Sequence, residues 1–327
     1  MMETYTNISP LYTKKNLCNL VKFIAALLVV NGHIFLFKGT NSIIAPFMNL
    51  GACCVSIFFF FSGYGLTYNL TRKGSTYLSG FFGKRLKRVI LPLITAYVIA
   101  LTVYPILKGP VDIKTVMTTL LWGGPYLKFS WYVTEIIVIY IIFYLIMRIK
   151  ATYECRIFIL SVSVLLLACI LFILKQPIWY IESLPCFIIG VYYQRFELSI
   201  VNRFNVASII LLIVIWGCIW FFTWQWNTYV AQYIPEYRYA LIATIVSNIS
   251  FVFLVINLLL IISTTPHYVI IHSFYEIYLI QNVAMMIASV VSDNFITYWS
   301  ISMGISVISG YILYMINDKI AIGLKKI

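Results

Sequence analysis

The sequence predicts an all-α membrane protein that crosses the bilayer about ten times. Of its 327 residues, 62% are hydrophobic and only 10% are charged, and the mean hydropathy is +0.95. A soluble domain of this size needs far more polar surface, whereas lipid-facing surface needs none. The apolar runs are long and continuous, which excludes a β-barrel, because barrel strands alternate apolar and polar residues.

Ten segments are apolar and long enough to cross the hydrocarbon core, which takes a helix of about 20 residues. No linker or internal repeat separates them, so residues 1–327 are predicted to form one domain. The sixth segment is the weakest, because it is short and contains Glu182 and Pro185; if it does not cross, nine spans remain. The predicted spans are about 17–37, 46–70, 89–107, 129–147, 157–174, 177–194, 204–226, 239–263, 268–291 and 295–316.

The loops between these spans predict the orientation. Sixteen of the 23 lysines and arginines fall on one side and six fall on the other. The Lys/Arg-rich side is cytoplasmic, so both termini are predicted to lie inside. The net charge of +13 is spread over short loops beside apolar segments, which is typical of topology determinants and does not indicate a nucleic-acid partner. The sequence therefore predicts a multi-pass protein of the cytoplasmic membrane, with the lipid bilayer as its surroundings.

A first group of ionisable residues is predicted near the outer surface. His33 lies near the outer end of the first span, and Lys22 precedes it by three helical turns on the same face, about 16 Å away. Glu135 and Glu182, in the fourth and sixth spans, lie at a comparable outer depth. A histidine near a carboxylate can act as a general base toward a hydroxyl. By itself, His33 is equally compatible with a hydrogen bond between helices.

A second group is predicted near the inner surface. It contains Lys22, the pair His272 and Glu276 at i and i+4, and the run KRLKR with Arg85 and Arg88. Arginines bind phosphates bidentately, although such a run also anchors topology, and Lys22 could be a snorkelling lysine. The two groups together favour a phosphorylated acyl donor inside and a hydroxyl acceptor outside.

Five segments carry a resemblance to a known family. They are Lys22 and His33 separated by ten residues, FFFFSGYGLTY at Phe58–Tyr68, FFGKRLKRVILP at Phe81–Pro92, WYVTEIIVIY at Trp131–Tyr140 and SFYEIYLIQ at Ser273–Gln281. In this order they resemble the membrane-bound acyltransferase-3 family, whose members O-acylate glycans and related acceptors. The resemblance covers about residues 15–316. The family favours arginine where this chain has Lys22, and histidine where it has Gln281.

The resemblance implies roles for individual residues. His33 is the expected catalytic base, and Glu135 is expected to orient His33 or the acceptor. Arg85 and Arg88 are expected to bind the phosphates of acyl-CoA, and Lys22 is expected to line the path of the donor. The hydrolase-like domain that some relatives append is absent from this sequence, so a stand-alone membrane enzyme is expected.

The predicted function is transfer of an acyl group, most simply acetyl, from cytoplasmic acetyl-CoA to a hydroxyl of a cell-surface polysaccharide or its lipid-linked precursor, in a bacterium. No metal is expected, because the seven cysteines show no CxxC and no ligand spacing with histidine. A transporter or exporter of glycan or a small substrate is the main alternative, although no inverted repeat is found. A glycan polymerase is disfavoured because no large external loop occurs. No particular oligomeric state is predicted.

Overall fold

The computed structural model describes residues 10–38, 50–120, 123–201, 206–225, 240–262 and 269–323. Within these ranges the regular structure is entirely helical, which confirms the predicted all-α class. Short 3₁₀ helices occur at Gly74–Tyr77, Ile178–Tyr180 and Val269–His272. The α-helices are α1 (Pro10–Thr13), α2 (Lys15–Lys38), α3 (Leu50–Lys73), α4 (Phe81–Leu107), α5 (Ile113–Thr119), α6 (Trp131–Met147), α7 (Tyr153–Ile173), α8 (Leu184–Val201), α9 (Val206–Gln225), α10 (Ala240–Ile261), α11 (Phe274–Val291) and α12 (Phe295–Gly323).

Seven helices in the described ranges are long and apolar enough to cross a membrane, namely α2, α3, α4, α7, α10, α11 and α12. Helices α6 and α9 are also apolar but shorter, and α8 is not in either group. Helices α7 and α9 present large exposed apolar side chains, including Phe158, Leu166 and Ile210, as lipid-facing helices do. The protein is thus a polytopic membrane protein, and the count of ten crossings stays a prediction.

The sixth predicted span, 177–194, is displaced toward the C-terminus. Residues Ile178–Tyr180 form a 3₁₀ helix, a turn follows, and α8 runs from Leu184 to Val201. Pro185 lies in the first turn of α8, where its fixed φ suits a helix and its missing N–H is not needed. Glu182 therefore precedes the helix and does not lie within it.

Other predicted boundaries also differ. Helix α4 begins at Phe81 and not at 89, so KRLKR lies within the helix, after its first three residues. Gly80 precedes the helix as its N-cap, with a φ of 70°. The predicted ninth span begins at 268, whereas α11 begins at Phe274, and α12 continues past 316 to Gly323. The predicted span edges at 46–49, 204–205, 226, 239, 263 and 268, and the termini 1–9 and 324–327, lie outside the described residues.

Helix α3 is at the centre of the bundle, with 13 of its 24 residues buried. It packs closely on α8, because each helix presents a glycine to the backbone of the other. A Cβ on Gly63 would lie 2.1 Å from the carbonyl oxygen of Phe187, and one on Gly190 would lie 2.1 Å from that of Phe60. Small residues permit such approach of membrane helices.

The bundle has two ends, named here after the residues of α2 that mark them. At the His33 end, Lys38 at the end of α2 forms an ion pair with Asp293, between α11 and α12, at 3.0 Å. At the Lys22 end, the Lys14 ammonium donates to carbonyls at the end of α10 and just after it, those of Leu259 at 3.0 Å and Ile262 at 2.8 Å. The two contacts tie both ends of α2 into the bundle.

The segment between α4 and α6 covers the His33 end. Asp112 begins α5 by accepting from the backbone N–H of Thr115 at 3.0 Å. The Thr115 hydroxyl and backbone N–H bonds hold the pKa of the Asp112 carboxyl below its usual range. Further along, the Asn282 amide of α11 donates to the carbonyl of Tyr126 at 3.1 Å. This bond fixes the segment on α11, just before Phe129.

Candidate active site

His33 is half-buried on α2 and is held by two neighbours. Its ring stacks on Phe129, with centroids 3.6 Å apart and an interplanar angle of 11°. Its Nδ1 lies 2.8 Å from the amide oxygen of Gln281 on α11. Stacking fixes the plane of the imidazole, and the hydrogen bond fixes its rotation within that plane. The histidine is therefore held in one orientation before any substrate arrives.

Gln281 determines which nitrogen of His33 carries the proton. The side chain of Gln281 is fully buried, and its Nε2 donates to the carbonyl of Tyr278 at 2.8 Å. This bond leaves the amide oxygen facing His33, and an amide oxygen only accepts hydrogen bonds. The proton must then lie on Nδ1 of His33, and Nε2 of the neutral ring carries the lone pair. That form of the imidazole is the one that accepts a proton from a hydroxyl.

Tyr278 closes this arrangement into a ring of four residues. Its hydroxyl donates to the carbonyl of Phe129 at 2.5 Å, and Phe129 carries the stacked His33 ring. Helices α2 and α11 and the approach to α6 are thus joined through one buried network, which we call the His33 network: His33, Phe129, Tyr278 and Gln281. Such a network keeps a reactive group in register better than an isolated contact does.

Glu135 is at the His33 end, as predicted, but Gln281 is the residue that orients His33. Both carboxyl oxygens of Glu135 are buried and lack a hydrogen-bond partner within the described ranges. The carboxyl of Glu182 interacts with it electrostatically. The sequence placed Glu135 near His33 by its depth along the helix. Depth does not give the direction in which the Glu135 side chain leaves α6. Glu135 is available for a ligand and does not hold the histidine.

Lys22 lies three turns before His33 on α2, among aromatic rings. Its ammonium is 4.6 Å from the ring centroid of Phe274 and 5.6 Å from that of Phe61. Cation–π contact of this kind stabilises a lysine in a poorly solvated place. Three helices, α2, α3 and α11, therefore meet around this one charge.

The predicted pairing of His272 with Glu276 is not found. His272 ends the 3₁₀ helix Val269–His272, whereas Glu276 is in the first turn of α11, so the two do not share a helix face. His272 Nδ1 lies 3.1 Å from the Asn19 amide nitrogen, which donates to it. The expected i, i+4 geometry required a continuous helix from 268, and the helix begins six residues later.

Arg85 and Arg88 lie in the first turns of α4. Arg85 donates twice to the hydroxyl of Tyr77, from Nε at 3.0 Å and from Nη2 at 2.6 Å. Arg88 is exposed at the Lys22 end. Of the predicted site residues, the structure thus brings Lys22, Arg85 and Arg88 to one end and His33 and Glu135 to the other.

Phe129, Tyr278 and Gln281 are the members of the His33 network whose part in holding His33 the sequence did not predict. Gln281 was visible as a departure from the family's histidine, which was the available signal. Phe129 carried none, because phenylalanine is common throughout this chain.

Comparison with known proteins gives one match. The acyltransferase-3 family model, described as an acyltransferase domain, matches residues 18–315. Neither the curated proteins nor the solved structures contain a match. The matched region begins in the first turn of α2 and ends in α12, so it contains both ends of the site.

Proposed function

Because the chain belongs to the acyltransferase-3 family, we propose that this membrane acyltransferase moves an acetyl group from acetyl-CoA to a hydroxyl of a cell-surface polysaccharide or its lipid-linked precursor. The observation that carries the proposal is the His33 network. It holds an imidazole with the proton on Nδ1 and the lone pair on Nε2, which is the form that a general base needs.

In the proposed step, Nε2 of His33 takes the proton of the acceptor hydroxyl. The hydroxyl oxygen attacks the carbonyl carbon of the thioester, the carbon–sulfur bond breaks, and the thiolate of coenzyme A leaves. The leaving thiolate takes up the proton that His33 received, so His33 returns to its starting form. A thioester is already activated, and a base positioned in this way contributes about 10²–10⁴-fold to the rate.

The donor is proposed to enter from the Lys22 end. Arg85 and Arg88 supply guanidinium groups there, and guanidinium binds phosphate oxygens bidentately. Lys22 is proposed to line the path from these arginines toward His33, since both residues lie on one face of α2. Loops at this end hold most of the lysines and arginines, which supports a cytoplasmic location in a bacterial membrane.

The acceptor is proposed to bind at the His33 end. Buried carboxyl oxygens without partners are costly, and a sugar hydroxyl would satisfy those of Glu135 by donating to them. Glu135 is therefore proposed to position the acceptor hydroxyl. This assignment replaces the alternative that Glu135 orients His33.

The test uses the purified chain with acetyl-CoA labelled in the acetyl group and the surface glycan of the source cell. Label should appear in the glycan, with release of one coenzyme A for each acetyl group. The same protein in sealed vesicles distinguishes the transporter alternative. Movement of glycan across the vesicle membrane without consumption of acetyl-CoA would contradict the proposal.

A further inference from the structure

A cavity of about 540 Å³ opens at the Lys22 end, away from the His33 network. It lies between the turn that joins α3 to α4 and the turn that joins α6 to α7. Its lining includes two serines of the first turn, Ser75 and Ser79, and two arginines, Arg148 at the end of α6 and Arg156 in the first turn of α7. A volume of this size is within the range of small-molecule sites.

The polar groups that line this cavity are suited to an anion. None of the described residues that line it is acidic, and the hydroxyls of serine can donate to an anion as well. Glu154, near the start of α7, is occupied elsewhere, because it accepts from Arg195 at 3.0 Å. The arginines of the cavity are therefore left with hydrogen-bond partners that carry no charge.

Arg156 in particular has an unused donor. Its Nη1 donates to the carbonyl of Met147 at 2.9 Å, whereas its Nε is buried and lacks an acceptor among the described residues. Arg148 donates from Nη1 to the hydroxyl of Tyr144 at 2.9 Å. A buried donor without an acceptor costs free energy, and a phosphate oxygen would supply the acceptor.

The cavity is also connected to the arginines already assigned to the donor. Ser75 belongs to the 3₁₀ helix Gly74–Tyr77, and the hydroxyl of Tyr77 receives both hydrogen bonds from Arg85. Residues 74–80 thus line a cavity with Arg148 and Arg156 and also bind Arg85 through Tyr77.

We propose that this cavity binds the phosphate-bearing nucleotide of the acyl-CoA donor, with Arg148 and Arg156 as phosphate ligands. The identity of the ligand rests on the proposed function, whereas the location of its binding site rests on the cavity. Coenzyme A carries a 3′-phosphate and a pyrophosphate, so two separate groups of arginines that contact the same turn fit its charge distribution. A phospholipid headgroup offers the same phosphate chemistry and is the competing ligand.

The test measures binding of adenosine 3′,5′-bisphosphate to the purified full chain by calorimetry, in nanodiscs of phosphatidylcholine. Arg148→Gln removes one guanidinium, and Ser79→Asp places a negative charge in the cavity. Each should weaken binding by about 10-fold or more. Lys150→Gln removes a charge from the same turn but does not line the cavity, so it should leave binding near that of the wild type.

Two results would overturn the proposal: a wild type that does not bind the nucleotide, or an Arg148→Gln and a Ser79→Asp variant that bind it as the wild type does. Soluble short-chain phosphatidylglycerol is added at constant ionic strength as the lipid arm. Complete displacement of the nucleotide by it would assign the cavity to a headgroup and would also overturn the proposal.

Acetyl transfer separates this proposal from the proposed function. If the wild type transfers acetyl groups and Arg148→Gln leaves KM for acetyl-CoA unchanged, the cavity proposal fails and the function stands. If the nucleotide binds as expected and no acetyl transfer occurs, the cavity proposal holds and the function fails.

Discussion

Gln281 is the residue on which the state of His33 depends. Replacing it by leucine removes the acceptor for Nδ1–H, so the imidazole can turn or carry its proton on Nε2. We expect Gln281→Leu to lower kcat for acetyl transfer by roughly 10-fold or more, with an unchanged KM for acetyl-CoA, because the donor binds at the other end. Steady-state kinetics of the purified variant measure both constants.

A second variant at position 281 separates orientation from folding. Gln281→His supplies a ring nitrogen that can accept from Nδ1–H of His33, so we expect it to recover part of the lost kcat. Gln194→Leu removes an amide at the Lys22 end and serves as the control. Equal activity of Gln281→Leu and the wild type would contradict the role of Gln281.

The sequence predicted the residue types of this site better than their contacts. The spacing of Lys22 and His33 on one helix was enough to place them at opposite ends of α2. The partner of His33 was not predictable in this way, because the rotation of α6 and α11 about their axes decides which side chain reaches it. Glu135 and Gln281 lie at the same end of the bundle, and only the packing of the helices decides which of them contacts His33.

At the scale of helices, the contact between α3 and α8 gives matched pairs of substitutions. Gly63→Ala and Gly190→Ala each place a Cβ about 2.1 Å from a backbone oxygen of the other helix, so the helices must move apart. We expect each to lower the free energy of unfolding by about 1–3 kcal/mol. The thermal midpoint of the purified protein in detergent measures the effect.

Gly65 in the same helix is the control. Nothing lies within 4 Å of a Cβ built there, so Gly65→Ala should leave stability unchanged or raise it by up to about 1 kcal/mol, through helix propensity. The same contrast applies to α11 and α12: a Cβ on Gly310 meets Ile277 at 2.5 Å, whereas Gly304 has open space. If Gly65→Ala and Gly304→Ala lowered stability as much as Gly63→Ala and Gly310→Ala do, this account of packing would be refuted.

Lys14 stabilises the last turn of α10 from outside. Its ammonium donates to the carbonyls of Leu259 and Leu260 in the last turn and of Ile262 just after it. Carbonyls at a helix end need such partners from outside the helix. We expect Lys14→Met to lower the free energy of unfolding by about 0.5–1 kcal/mol. Lys15→Met changes an exposed neighbour and should have a smaller effect in the same thermal measurement; equal effects would show that the carbonyl contacts contribute nothing.

The existence of most helices followed from apolar length, whereas their boundaries did not. The third predicted span began after KRLKR, yet the run is helical, since charged side chains at a helix end can extend into water. Pro185 was treated as an interruption of the sixth span, yet it lies in the first turn of α8. Hydropathy reports where lipid surrounds a helix, and helices continue beyond that boundary.

At the scale of the whole molecule, one contact between helix ends bears on the number of crossings, which stays a prediction. Lys38 follows the first predicted span and Asp293 precedes the last, and their ion pair places them at one end of the bundle. Two residues lie at the same end only if the chain crosses the membrane an even number of times between them. In the ten-span prediction, eight spans separate Lys38 from Asp293. With nine crossings in total, the two residues would lie on opposite sides.

Labelling with a membrane-impermeant maleimide tests this topology in intact cells. In a chain whose lipid-facing Cys169 and Cys218 are replaced by alanine, Asp293→Cys and Lys128→Cys should react from outside. Native Cys155, exposed at the Lys22 end, should react only after permeabilisation. Protection of Asp293→Cys together with reaction of Lys128→Cys would indicate nine crossings.

The most direct test of the central claim, that His33 is the base for acyl transfer, is the kcat of His33→Ala with labelled acetyl-CoA and glycan. We expect a decrease of about 10²–10⁴-fold, with normal membrane level and thermal midpoint. Asn31 lies on α2 with His33 and accepts from the Trp299 indole of α12. Asn31→Ala removes this acceptor, and its kcat should stay near that of the wild type. Transfer by His33→Ala at the rate of the wild type would contradict the account.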